Sequence, residues 1–184
     1  MRKKYKSTCR IIFKELGCPI GQVLLAHSGA GLCVIQLPVS GSDQARRKLE
    51  NSLKKRFGSI ELVADDKGPL EEAVRFLKAY FEAPEASGLF SGALDPGGTA
   101  FQQMVWNELK RIRPGQVLSY GEIARRIGRL QAFRAVGSAC GANPLPIIVP
   151  CHRVVGSGGR LGGFGGGVEL KKRLLKAEGW TPSV

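Results

Sequence analysis

Between Ala83 and Gly98 the chain turns to Pro, Gly, Ser and Ala, and this break constrains the fold more than any other feature, because the patterns on its two sides differ. It divides the 184 residues into two units, 1–92 and 93–184, each with room for a small core. In the first unit, Cys9 to Phe13, Gln22 to Ala26 and Leu32 to Leu37 are short runs rich in Ile, Val and Leu between Gly and Pro, which reads as antiparallel strands. Two helices follow. Ser42 and Asp43 offer a cap for the first, Ala45, Leu49, Leu53 and Phe57 its apolar stripe, and Gly58 a stop. The second begins near Pro69, with Leu70, Val74, Leu77 and Phe81 on one face, and Ile60 to Val63 adds a strand between them. The expectation is a small α/β domain, an antiparallel sheet with helices. It holds no cluster of catalytic residue types, so its expected role is scaffold.

The second unit reads as mainly helical. Thr99-Ala100-Phe101-Gln102 has capping-box spacing and opens a helix to Arg111, with Phe101, Val105 and Leu109 inward. Ser119-Tyr120-Gly121-Glu122 is a second capping box, whose short helix carries Ile123 and Ile127 and stops at Gly128; a further helix spans Ala132 to Cys140. Two short helices joined by a Gly turn serve packing in many proteins and nucleic-acid binding in some. Charge favours the second use here. Residues 96–184 hold 13 Lys and Arg against 4 Asp and Glu, whereas residues 1–95 hold 15 against 11, so the basic excess sits with the helix pair.

The overall formal charge of +13 attracts polyanions, although a basic surface can also serve solubility alone. No stretch approaches the roughly twenty apolar residues of a membrane span, and no export signal follows the basic run from Met1 to Lys6, so a cytoplasmic protein is expected. Five cysteines without a CxxC pair argue against a disulfide framework. Cys9, Cys18, His27 and Cys33 have a spacing that fits strand interiors better than a zinc site, and no metal is assigned.

Chemistry concentrates after Asn143-Pro144-Leu145-Pro146. Ile147-Ile148-Val149 reads as a short buried strand leading into Pro150-Cys151-His152-Arg153-Val154-Val155. A thiol becomes a good nucleophile as thiolate, and a neighbouring base lowers the cost of making one. Neighbours on an extended strand face opposite ways, so Cys151 and His152 must meet through a turn or a bridging water. Taken alone, a Cys-His pair is more often an inert buried cysteine beside a histidine than a nucleophile. The eight glycines from Gly156 to Gly167 lack the GK[ST] ending of a nucleotide loop and read as a flexible loop.

The stretches Gly98 to Gln102, Ser119-Tyr120-Gly121, Arg134-Ala135-Val136-Gly137, Gly141-Ala142-Asn143-Pro144, Pro150 to Val155 and Leu174 to Gly179 occur together in an order and spacing that resembles the O6-alkylguanine-DNA alkyltransferases. The resemblance covers nearly all of residues 95–180 and implies a winged-helix-like second domain that binds double-stranded DNA as a monomer, without a cofactor. It implies that an alkyl group passes from O6 of guanine to Cys151, once per molecule, with His152 taking the thiol proton through water and Glu178 orienting the imidazole. Tyr120 would donate to N3 of the leaving base, and Asn143 would hold the turn ahead of Cys151. Arg134 would fill the stack after the base is rotated out, with Ala135 and Ser138 beside it against the DNA. Val154, Phe164, Gly165 and Pro146 would form the base pocket.

Three positions depart from the family pattern: Phe164 stands where many members have Tyr, Gly165 where Ser is common, and Phe133 where the recognition helix usually has Ala. Two other functions start from the same residues. One is a damage-recognition protein that flips the base without chemistry, a class lacking the nucleophilic cysteine that Cys151 supplies. The other is a thiol-based winged-helix sensor, against which Tyr120, Asn143 and Glu178 around Cys151 favour repair.

Overall fold

The structure, a computed structural model, describes residues 8–38, 42–66 and 68–181; the basic run from Met1 to Lys6 and the Ser42 side chain expected to cap the first helix lie outside them. β1 (Cys9–Cys18), β2 (Gly21–His27) and β3 (Leu32–Gln36) form an antiparallel meander. β1 runs five residues past the expected Phe13, because pairing with β2 carries it through the polar Lys14 and Glu15 to the turn at Gly21.

The sheet is mixed, not antiparallel throughout. After β3 the chain crosses back along α1 (Ser42–Phe57), so β4 (Ile60–Ala64) joins β1 in parallel, giving the order β3-β2-β1-β4. A helical crossover is what parallel pairing needs, and Gly58, at φ 78°, makes the turn out of α1. Leu24, Ala26, Cys33 and Val34 pack on Ala45, Leu49 and Leu53 of α1, while Val23, Leu25, Leu32 and Ile35 face the opposite way. Burial on both faces explains the unbroken apolar runs of β2 and β3.

On the second face, α2 (Glu71–Glu82) contributes Leu70 at its N-terminus, Val74, Leu77 and Tyr80. Phe81, expected inward, is only partly buried; the inward stripe advances by three at this turn and lands on Tyr80. The same apolar cluster continues into α3 (Ala100–Leu109) through Val105, Trp106 and Leu109, and on to Val136, Leu145 and Val149, so one core serves both halves of the chain.

The 83–98 segment is packed rather than free. Leu32 N donates to Ala93 O at 2.9 Å and Asp95 N to Leu32 O at 2.9 Å, and Arg56 binds Asp95 from α1. The outer edge of β3 is also covered by Pro144, whose carbonyl accepts from Ile35 N at 2.8 Å. The first half therefore braces the segment that leads to Cys151.

β5 (Leu118–Ser119) leads into α4 (Tyr120–Arg126), followed by α5 (Phe133–Gly141). Both expected capping boxes form: Thr99 with Gln102 opens α3, and Ser119 with Glu122 opens α4. Trp106 Nε1 donates to Ala139 O at 2.9 Å, and Glu108 pairs with Arg126, which fixes the helix pair against α3. β6 (Val154–Val155) pairs with β5 in parallel, and α6 (Val168–Ala177) closes the fold.

The expected strand at Ile147 to Val149 is instead a buried turn. Pro144, Pro146 and Pro150 remove the amide donors a ladder needs, Val149 N returns to Leu145 O at 2.8 Å, and Ile147 takes a φ of 75°. No described helix is long and apolar enough to cross a membrane.

Candidate active site

Cys151 begins a 3-10 turn, Cys151–Arg153, so it and His152 do not alternate as on a strand. The turn is built by its neighbours. Asn143 Nδ2 donates to Val149 O at 2.7 Å and to Cys151 Sγ at 3.1 Å, while its Oδ1 accepts from Leu145 N at 3.0 Å. One amide thus ties the end of α5 to both sides of the nucleophile turn. Burial pushes the Cys151 thiol up; the Asn143 bond and the charge of Lys171 oppose that.

Behind the turn lies a fully enclosed array. Glu178, just past α6, accepts from His152 Nε2 at 2.8 Å and from Arg153 Nη2 at 2.9 Å on Oε1, and from Arg153 Nε at 2.9 Å on Oε2. Tyr80 of α2 donates to Oε1 as well, at 2.6 Å, and its oxygen stands 3.4 Å from His152 Nε2. Arg153 spends Nη1 on Ile112 O at 2.5 Å. Burial alone would raise the Glu178 carboxyl, but the hydrogen bonds of His152 and Arg153 and the charge of the Arg153 guanidinium overcome it and hold the group down at about 2.

An ionised carboxylate can only accept, so His152 Nε2 carries the proton of that bond. Burial, ahead of the opposing pull of Glu178, lowers the imidazole below its usual range and keeps it neutral near pH 7. The lone pair therefore resides on Nδ1, which is buried and bonded to no other group among the described residues. A neutral imidazole with its free nitrogen fixed by a carboxylate is a base.

A cavity of about 450 Å³ opens beside the thiol, lined by Tyr120, Gly137, Cys140, Gly141, Cys151, Gly163, Phe164 and Gly165. The Phe164 ring lies 6.3 Å from that of His152, at 71°. Glycine is needed at 162, where a Cβ would stand 2.5 Å from the Tyr120 hydroxyl; the bare backbone lets that hydroxyl reach the loop. Burial raises the Tyr120 phenol, which keeps its proton. Pro146 and Val154 are buried outside the lining, Pro146 in the turn ahead of Cys151 and Val154 in the core. Arg134, Ala135 and Ser138 are exposed on α5.

Three participants escaped sequence reasoning. Tyr80 overturns the expectation that the first half brings no chemistry; a tyrosine three residues after Leu77 in an otherwise apolar stripe was its signal. Arg153 was visible as a lone cation inside an apolar run. Lys171 is completely buried on α6, donates Nζ to Val154 O at 2.6 Å and has no carboxylate partner among the described residues. The Tyr80→Phe substitution is expected to cost about 1.5–3 kcal/mol of unfolding free energy, the range for a hydrogen bond to a charged group, measured by urea titration. An unchanged midpoint would remove Tyr80 from the array.

A buried thiol, a neutral imidazole held by a carboxylate and a cavity with room for a flat heterocycle together make up a site suited to a cysteine nucleophile. The profile described as "6-O-methylguanine DNA methyltransferase, DNA binding domain" matches residues 100–180. A "Methylated-DNA--protein-cysteine methyltransferase" of Methanosarcina acetivorans is 42% identical over 161 residues, covering 88% of this chain and 94% of that protein. The "Bifunctional transcriptional activator/DNA repair enzyme Ada" of Escherichia coli is 40% identical over 88% of this chain and 43% of its own length. The crystal structure of Mycobacterium tuberculosis OGT in complex with DNA superposes with a TM-score of 0.72 at 40% identity, covering 91% of this chain and 92% of the other. The chain belongs to the methylated-DNA–protein-cysteine methyltransferase family.

Proposed function

We propose that this protein repairs DNA by moving an alkyl group from O6 of guanine to Cys151, and the observation that carries the reading is the Cys151 thiol on the wall of a cavity with room for a base, bonded to Asn143 and backed by the His152–Glu178 pair. His152 Nδ1 takes the thiol proton through a bridging water. The Cys151 sulfur then attacks the alkyl carbon in line, the new S–C bond forming as the C–O6 bond breaks and its electron pair stays on guanine. Tyr120 donates a proton to N3 of the departing base, so guanine leaves neutral, and the proton on His152 restores the phenol. Lys171 stabilises the anionic stage from inside the core. The thioether has no ready hydrolysis route, so each molecule acts once.

The reaction needs the base outside the duplex. α5 carries exposed Arg134, Ala135 and Ser138, and Arg134 is the residue to fill the vacated stack while the basic surface holds phosphates. The Gly165 amide donates to O6, and the Cys151 carbonyl accepts from the guanine amine; the Val154 carbonyl, held by Lys171, lies behind the pocket. Five free cysteines suit a reducing compartment, and the protein works in the cytoplasm as a monomer. Residues 1–92 brace the turn and supply Tyr80; residues 93–184 supply the rest.

Incubation with a duplex containing O6-methylguanine, followed by intact-mass and peptide analysis, is expected to find one added methyl group, on Cys151. Methylation on Cys140, which lines the same cavity, would sink the assignment.

A further inference from the structure

Five large apolar side chains are exposed among the described residues, and two of them, Leu130 at 69% and Phe133 at 46%, lie three positions apart where α5 begins. A single exposed apolar side chain needs no explanation, but an aromatic ring and a leucine together on the turn of a helix-turn-helix form a patch. Among the described residues the ring takes part in no aromatic pair, and the Arg134 guanidinium carbon lies 5.7 Å from its centroid. That distance is within cation–π range, so Phe133 and Arg134 leave α5 side by side. The stretch that carries them is cationic: Arg125, Arg126, Arg129 and Arg134 are exposed, Arg126 being paired with Glu108. Glu122, the carboxylate of this stretch, is bonded to Ser119 in the capping box.

Exposed apolar side chains on a cationic stretch fit a ligand with anionic edges and flat apolar faces, which describes stacked bases between two phosphate backbones. An acidic protein surface would match the cations and leave the ring in contact with charge. Proteins that open the minor groove commonly drive an apolar side chain between base steps, and base–aromatic stacking tolerates any sequence.

We propose that Phe133 is a second wedge, entering the base stack of duplex DNA beside Arg134, with Leu130 covering the adjoining sugar edge. The inference rests on the DNA-repair reading above. Arg134 fills the gap of the flipped nucleotide, and Phe133 holds open the neighbouring step while its ring face fixes the guanidinium plane. The bulk that sets this position apart from the alanine common in the family then becomes a grip on DNA that does not depend on sequence.

The test compares second-order rate constants of wild type, Phe133→Ala and Phe133→Trp on a duplex holding O6-methylguanine and on free O6-benzylguanine, which requires no flipping. Phe133→Ala is expected to slow the duplex reaction by roughly tenfold, the equivalent of losing one weak stacking contact, with the loss confined to the duplex. Phe133→Trp is expected to restore the rate, and its added indole emission to be quenched by unmodified duplex beyond any change in the wild type, which carries the buried Trp106 and the half-buried Trp180. Repair by Phe133→Ala at the wild-type rate or faster overturns the wedge, since the ring is then idle or obstructive. Equal losses on both substrates overturn it too, by assigning the ring to the fold. Arg134→Ala measured alongside separates the two ideas: a slow Arg134→Ala with an unaffected Phe133→Ala keeps base flipping and removes the wedge.

Discussion

Glu178→Gln is expected to cut the methyl-transfer rate by at least about a hundredfold, the lower end of what a positioned general base contributes, and to destabilise the fold by about 3–5 kcal/mol. The substitution preserves volume, so both effects report charge and hydrogen bonding. Glu178 accepts from His152, Tyr80 and two nitrogens of Arg153, all as an anion. Glutamine offers one accepting oxygen and an NH₂ that must face donors. Arg153, buried at 6% exposure, then keeps its charge with no counter-ion, and removing one partner of a buried pair is the costly case. The amide can also accommodate His152 by drawing its proton to Nδ1, which takes the lone pair away from the side where the base is needed.

The pH dependence follows from the depressed carboxyl. With a folded value of about 2 against an ordinary 4.5, Glu178 contributes stability that is fully present above pH 4.5 and is lost as pH falls towards 2. The Gln variant lacks this component, so its unfolding free energy should fall less over that window than the wild type's. Iodoacetamide labelling of Cys151 should shift to higher pH in the variant, because the imidazole has lost the anion that supports its protonation. Urea unfolding at pH 7 and 3, with labelling profiles, checks all three. A variant within about 1 kcal/mol of wild type that labels identically would show that the carboxylate is not the anchor of the base.

How far such a site can be read in advance depends on whether its parts are local in sequence. The capping boxes at Thr99 and Ser119 and the stop at Gly58 form as expected because each is completed within four residues. Asn143 and Cys151 were also within reach, being eight residues apart across one proline-rich turn. The turn itself was misread as a strand. Ile147-Ile148-Val149 has strand composition, but three flanking prolines deny it a partner, and composition alone does not count donors.

Tyr80 was hidden for a different reason. It reaches Glu178 across 98 residues of chain, and whether position 80 or 81 faces inward depends on one turn of α2 packing on the sheet. The parallel pairing of β4 likewise follows from the route α1 takes back across the sheet, a tertiary choice with no local mark. Lys171 is the clearest case. Among the charged residues of a basic helix nothing distinguishes it, yet it alone of the four Lys and Arg in α6 and its last turn is fully buried.

Arg134→Ala is expected to slow repair of a methylated duplex by one to two orders of magnitude while leaving the reaction with free O6-benzylguanine nearly unchanged. Rotating a nucleotide out of the stack costs a few kcal/mol, and a side chain that occupies the gap returns part of it. At roughly 1.4 kcal/mol per factor of ten, returning half of such a cost accounts for the expected range. Arg134 is suited to this by position. It is exposed on α5, while Val136, two residues on, is fully buried and anchors the helix to the core. Its guanidinium carbon lies 5.7 Å from the centroid of the Phe133 ring. Arg134→Lys should restore the charge and only part of the rate, because a compact ammonium cannot stack as a planar guanidinium does. Free base bypasses flipping, so its rate constant reports the pocket, the thiol and the His152–Glu178 pair alone. Rate constants on both substrates for the three proteins decide the matter. Equal losses on duplex and free base would mean that Arg134 supports the fold or the pocket, and the role of filling the vacated stack would have to pass to another residue of α5.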